Sequence, residues 1–467
     1  KERMTRNIPK TFAKFAQFAF FALKTPFSRK RKHSHHFLLD HYHPLNPRSV
    51  VSPKFGKLLT IDRLCMDHDL KFKSTGALAM PHTFHRDRFT WLAYILLAFY
   101  GYFLNILGPI TPFLKEELKL SYTVSSLHFT AFAVGILLIG LGGQALVQRI
   151  GRWHSLWLGT FGISIGALIL LAGRSPTITI GASFLMGLIG SLILVIVPSF
   201  LSDQHGEQRA AALSEANVIA SLVSTTAPLM VGWSAHLPGG WRLALGTVAF
   251  VPVLLRLGFG KAVSWQSTSG QGNPTSAGRP LPVLYWVYWV AIVLAVSVEF
   301  CMVFWSADYL ENGLAMPKVD AAQAVSLFLA AMIVGRLIGS RLVRRFSTHK
   351  VISVSILVAG AGFLMFWVTN HAVLGLVGLF VTGLGVASLY PLTLSLAIGT
   401  ASGNTVQASV RATLASGTAI LSLPLALGRL ADMVGIRQAY GVVALLLVSV
   451  FLIILVTRRK SLIAQSS

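Results

Sequence analysis

From Phe89 onward the chain alternates between long apolar runs and short polar breaks. A run of about 20 helical residues crosses a hydrocarbon core about 30 Å thick. Twelve such runs are legible: 89–113, 123–147, 154–172, 177–201, 210–233 and 241–259, then 283–310, 320–342, 350–369, 372–399, 406–431 and 438–457. The breaks carry Gly, Pro, Ser and charge, residues that interrupt helices. The longest break, GKAVSWQSTSGQGNPTSAGRPLP at 260–282, reads as a flexible linker between six spans and six. The pattern predicts an all-α polytopic membrane protein of twelve transmembrane helices. Its parts are a basic tail (1–88), a six-helix half (89–259), a cytoplasmic linker (260–282), a second half (283–460) and a cytoplasmic tail (461–467).

Composition agrees, since 54% of residues are hydrophobic and only 12% charged, far from the balance of a soluble domain. Cys65 and Cys301 form neither a disulfide framework nor a metal-ligand spacing, so no cofactor or metal is expected. Arg149, Arg152, Arg209, Lys261, Arg279, Arg341, Arg344, Arg345, Lys350 and Arg458-Arg459-Lys460 fall in alternate loops or in the C-terminal tail. By the positive-inside rule these loops and both termini face the cytoplasm, and the expected location is the cell membrane. Topology thus explains the basic loops without nucleic acid. Much of the net charge of +24 comes from residues 1–88, where RKRKHSHH is the densest part. The stretch before Met80 is expected to be an upstream extension with no role of its own. Its rivals are a tail held to anionic lipid, with 12–24 as an amphipathic helix, and a targeting presequence.

The halves echo each other, as in carriers built from structural repeats with the substrate site between them. VQRIGRWHSLWLG (147–159) corresponds to VRRFSTHKVISVS (343–355), Pro198 to Pro391, and Arg209 to Arg411. Counted from the helix starts, Asn105 of span one lies opposite Glu299 of span seven.

GGQALVQRIGRWHSLWLG (142–159) resembles the loop between helices two and three of the major facilitator superfamily, Gly-x-Leu-Ala-Asp-Arg-x-Gly-Arg-Arg/Lys. Leu146, Arg149, Gly151 and Arg152 match it, while Gln144 replaces the first Gly and Gln148 the Asp. The second copy, VGRLIGSRLVRRFSTHK (334–350), keeps Gly339, Leu342 and Arg345, with Arg344 in place of the Asp and Ser347 in place of the Gly. The resemblance implies two halves that rock about a midplane site, with these loops stabilising one conformation through charge pairs and close helix approach. SVEFCMVFWSADYL (297–310) further resembles the seventh helix of fucose-permease-like sugar transporters through Glu299, Trp305, Tyr309 and Leu310. Spans one and four lack the acids that fucose permeases use there.

Glu299 is the leading candidate for chemistry. It lies about sixteen residues, or about 24 Å, into its span, and intramembrane carboxylates face cavities and commonly serve proton or substrate sites. The rival is a neutral or paired structural Glu. Asn105, Trp305, Tyr309, Tyr390 and Asn217 are candidates for a solute cavity, against helix packing and interfacial belt roles. Arg149, Gly151, Arg152, Arg336, Gly339 and Arg345 are candidates for gating, with Arg336 able to pair with an acid, bind an anionic substrate or pin the helix. Glu215 is expected to neutralise Arg209 or Arg149, His128 to be a packing residue or a proton relay, and Asp308, Glu311 and Asp320 to be solvated.

The function expected is secondary active transport of a small, sugar-like solute by a monomer, with proton coupling through Glu299. The alternatives are a drug or metabolite exporter, an ion-independent facilitator, and a non-transporting receptor or scaffold. No GxxxxGKS sequence is present to couple ATP, and no covalent chemistry is expected.

Overall fold

The first described helix starts where a cap allows it. The Asp87 carboxylate accepts from the Thr90 N–H at 2.8 Å and opens α1, Arg88–Leu118, which ends at Lys119 with φ 51°. The computed structural model describes residues 86–259, 281–400 and 405–466, within the compact unit Ala79–Ser467. The expectations for residues 1–85 and for most of the linker lie outside the described residues.

Eleven further spans follow among the described residues: α2 (Tyr122–Ile150), α3 (Arg152–Ala172), α4 (Pro176–His205), α5 (Arg209–Ser234), α6 (Arg242–Phe259), α7 (Val283–Leu314), α8 (Lys318–Leu342), α9 (Thr348–Val368), α10 (Ala372–Gly399), α11 (Thr405–Val434) and α12 (Ile436–Arg458). All twelve are long and apolar enough to cross a membrane. Several overrun their apolar runs because polar end turns stay helical beyond the hydrocarbon. In α1 the extra turn carries Lys115, Glu116 and Glu117. Among the described residues three spans break near mid-length, α4 at Ser191, α6 at Phe250 and α10 after Val386. Leu141, Leu254, Leu257 and Leu445 are exposed, as the lipid-facing side of such a bundle requires.

Loops after odd-numbered helices emerge on one face, called the odd-loop face, and those after even-numbered helices on the other. The halves meet chiefly along three helix pairs, α2 with α11, α5 with α8, and α1 with α7, with a smaller contact between α1 and α8. Hydroxyls stitch two of them, Thr130 to the Leu421 carbonyl at 3.3 Å and Ser326 to the Thr225 carbonyl at 2.9 Å. The third needs a glycine, because a Cβ on Gly108 would strike the Val303 carbonyl oxygen and the Phe304 Cα.

Candidate functional site

Glu299 and Asn105 lie one turn to the even-loop side of the α1–α7 crossing, at the middle of their helices. On the neighbouring α8, Arg336 reaches the same level. Its Nη2 stands 3.7 Å from Glu299 Oε1, and its Nη1 donates to Ser221 Oγ of α5 at 3.1 Å. One guanidinium thus connects an acid of the second half to a hydroxyl of the first. Its side chain is 44% exposed, whereas that of Glu299 is 19% exposed. Tyr390 of α10, half-buried, has Ser416 beside its hydroxyl and Glu299 within electrostatic range. Asn105 is half-buried and donates to the Gly101 carbonyl at 2.8 Å, while Asn217 is exposed and donates to the Leu213 carbonyl at 2.8 Å.

Trp305 and Tyr309 sit elsewhere, fully buried on the odd-loop side of this node. The Trp305 indole N–H donates to the Pro424 carbonyl at 3.0 Å, and its ring packs edge-on against Phe129, which stacks on Phe304 at 4.1 Å. Tyr309 donates to the Trp367 carbonyl at 2.8 Å and packs against Phe366 and Tyr440. In this conformation Trp305 is part of a plug between the halves and Tyr309 part of the second half's core. Neither faces an opening.

Beyond the plug, charges close the odd-loop face. Lys115 pairs with Asp308 and Lys318 with Glu116, each across the two halves. Lys318 also stands 3.4 Å from Glu311. The Asp432 carboxylate of α11 accepts from the Tyr122 and Thr123 N–H groups at 2.8 Å each, occupying the unsatisfied start of α2. Asp308, expected to be solvated, is 0% exposed. Its position on the buried face of α7, not its distance from the helix end, decides its environment.

The even-loop face is different. Arg152 pairs with Asp203, and Arg86 grips Glu215 with bonds of 2.8 and 2.6 Å, all within the first half. Glu215 also accepts from Tyr94 at 3.2 Å, so its described partners are Arg86 and Tyr94 and not the expected Arg209 or Arg149. Gly151 has φ 83°, a left-handed value that only glycine adopts freely, which lets α3 start directly where α2 ends. Arg149 and Arg345 are exposed at this face, and Gly339 packs against the Ser388 side chain. His128 is satisfied as a packing residue, bonded to the Ser125 carbonyl and Thr179 hydroxyl. Arg336 is exposed, as is Asn217 of α5, one turn to the even-loop side of Ser221.

Ser221 was not singled out by sequence. The available signal was a polar row at helical spacing, Ser214, Asn217, Ser221 and Ser224.

Two pseudo-repeated six-helix halves, with a charged node between them and a seal on one side of it, define a membrane transport protein. The model of the Major Facilitator Superfamily matches residues 93–402 and 291–466, and the chain belongs to this family: it is a transporter, not an enzyme. An uncharacterised MFS-type transporter of Yersinia pestis is 25% identical over 359 residues, covering 73% of this chain and 89% of the relative. A bacterial homologue of the human lysosomal transporter Spinster, in an inward-facing and occupied conformation, shares the fold with a TM-score of 0.69 at 14% identity, over 81% of this chain and 98% of its own. The Escherichia coli fucose:proton symporter shares it with a TM-score of 0.50 at 17% identity, over 78% and 98%.

Proposed function

We propose that the chain is a proton-coupled secondary active transporter. A small polar solute crosses by alternating access as the halves rock about the level of Glu299. The observation that carries this reading is the Glu299–Arg336–Ser221 node, an acid and a base at mid-span, linked across the halves, with the base exposed. Ionisable groups at membrane depth are costly and face cavities or one another. In this reading Glu299 takes up and releases the transported proton, and Asn105, Asn217 and Tyr390 supply hydrogen bonds to the solute. Gly151 lets the chain turn directly from α2 into α3 and Gly339 lets α8 approach α10 closely, while Arg149, Arg152 and Arg345 meet acids or carbonyls of the opposite half when the even-loop face closes. The even-loop face, rich in Arg and Lys, is cytoplasmic by the positive-inside rule, so the conformation described opens inward. The protein then resides in the cell membrane and works as a monomer.

The fucose:proton symporter's likeness of fold favours a sugar, but the two aromatic side chains best suited to stacking on a sugar ring, Trp305 and Tyr309, are buried away from the node. The test is uptake into proteoliposomes with and without an imposed pH gradient. Uptake driven by the gradient is expected, with Glu299→Gln abolishing the drive while leaving solute exchange. Gradient dependence that survives Glu299→Gln would remove Glu299 from the coupling, and uptake indifferent to the gradient in the wild type would make the chain a facilitator.

A further inference from the structure

We infer that the solute is a small organic anion, whose carboxylate takes the place of Glu299 as the counter-ion of Arg336. This rests on the proton-coupled reading above and deepens it. The contact of 3.7 Å between Arg336 and Glu299 is longer than a hydrogen bond, and it is a single point contact where a guanidinium can bind a carboxylate through two parallel bonds. Of its five N–H donors, one is engaged by Ser221 Oγ at 3.1 Å. The group is 44% exposed at a depth where a structural pin would be enclosed. Arg336 is therefore partnered loosely enough to be captured by an arriving acid.

Charge balance points the same way. Glu299 is faced by Arg336 from α8 and by the Tyr390 hydroxyl from α10. The ionisable groups on the other packed helices are engaged or remote. On α1, Lys115 is held by Asp308. On α11, Arg411, Arg429 and Asp432 lie toward the helix ends, and on α12 the Tyr440 hydroxyl donates to the Cys301 carbonyl while Arg458 closes the span. On α7 itself, Cys301 is buried two residues away. When Glu299 takes a proton, Arg336 is left as an uncompensated cation at the middle of the bundle. A neutral sugar would leave it so, whereas a carboxylate restores neutrality. Proton and anion then load together, the proton on a Glu299 oxygen and the carboxylate on the Arg336 fork, and the loaded node has the same net charge as the empty one. The carrier can therefore reorient in both states, and transport is electroneutral for a monocarboxylate.

The experiment uses the purified full chain and three matched pairs of probes: lactate with lactamide, gluconate with glucose, and benzoate with benzamide. Binding is read by thermal shift at pH 6 and pH 8. At least one carboxylate should stabilise the wild type, more at pH 6 than at pH 8, while its neutral partner does not. Glu299→Gln, which frees Arg336 permanently, should bind that carboxylate at least about fivefold more tightly at pH 8 and lose the pH dependence. Arg336→Gln should abolish binding. If that variant does not fold, Arg336→Lys should weaken binding while leaving the Glu299→Gln gain to decide the matter. The inference is overturned if no carboxylate stabilises either the wild type or Glu299→Gln, if Glu299→Gln loses the binding, or if a neutral probe binds as well as its acid. A carboxylate that binds in the expected pattern but is not driven by a pH gradient would sink the coupling and leave the anion site standing. A neutral solute driven by the gradient in Arg336→Gln would do the reverse.

Discussion

Lys115 of α1 and Asp308 of α7 form an ion pair across the two halves with the Asp308 side chain wholly buried, and the Lys115 ammonium also lies 3.8 Å from the centre of the Tyr122 ring. The pair joins two helices that must separate on this side if the carrier is to open there. One Asp308 oxygen, Oδ2, has no hydrogen-bond partner, and the Tyr122 hydroxyl lies beside the carboxylate, so the pair is enclosed by α2 as well.

Removing one partner of a buried pair strands the other and costs about 3–5 kcal/mol. Lys115→Ala should therefore destabilise the closed odd-loop face more than the double variant Lys115→Ala with Asp308→Asn. Spin labels at Leu120 and Asn312, on opposite halves, should move apart in the single variant. An unchanged distance distribution would show that the pair does not hold this face shut.

Gly108 sets how closely α1 and α7 approach. Gly108→Ala should lower stability by about 1–3 kcal/mol, the cost of overpacking, seen as a fall in the thermal midpoint. A larger residue should prevent the halves from seating, with loss of uptake.

Trp305 separates a packing role from a solute-contact role. Trp305→Phe keeps the ring in the plug but removes the donor to the Pro424 carbonyl, worth about 1 kcal/mol. The thermal midpoint should fall slightly with uptake affinity unchanged. A large change in the KM for the transported solute with no loss of stability would put Trp305 on the solute path.

Arg86 and Glu215 form a two-bond pair at the even-loop face, open to solvent on both sides. Such pairs are screened by salt. Arg86→Ala should change thermal stability little, and raising the salt concentration should erase the difference from the wild type.

Span number and approximate position were legible because a membrane span declares itself by length and apolarity alone. The partners of the charges were not. Asp308, about two and a half turns beyond mid-helix in α7, reads as solvated because it is close to a helix end; its burial depends on α1 lying against that face, which hydropathy does not encode. Sequence alone pairs Glu215 with loop arginines near in sequence or topology, yet Arg86, 129 residues away, reaches it from the start of α1. Arg336 belongs by sequence to the vicinity of a loop motif, but its long side chain carries the guanidinium to the level of Glu299. Trp305 and Tyr309 share a helix with Glu299 at spacings of six and ten residues, so helical rotation alone, about 100° per residue, turns them away from it.

The interruptions of α4 at Ser191 and of α10 after Val386 fall at matching places in the two halves. Each divides its helix into a fixed upper piece and a shorter lower piece, Leu192–His205 and Leu389–Gly399, that ends at the open face. Because Tyr390 stands on the first turn of the lower piece of α10, any bend at that interruption would change the distance between its hydroxyl and Glu299.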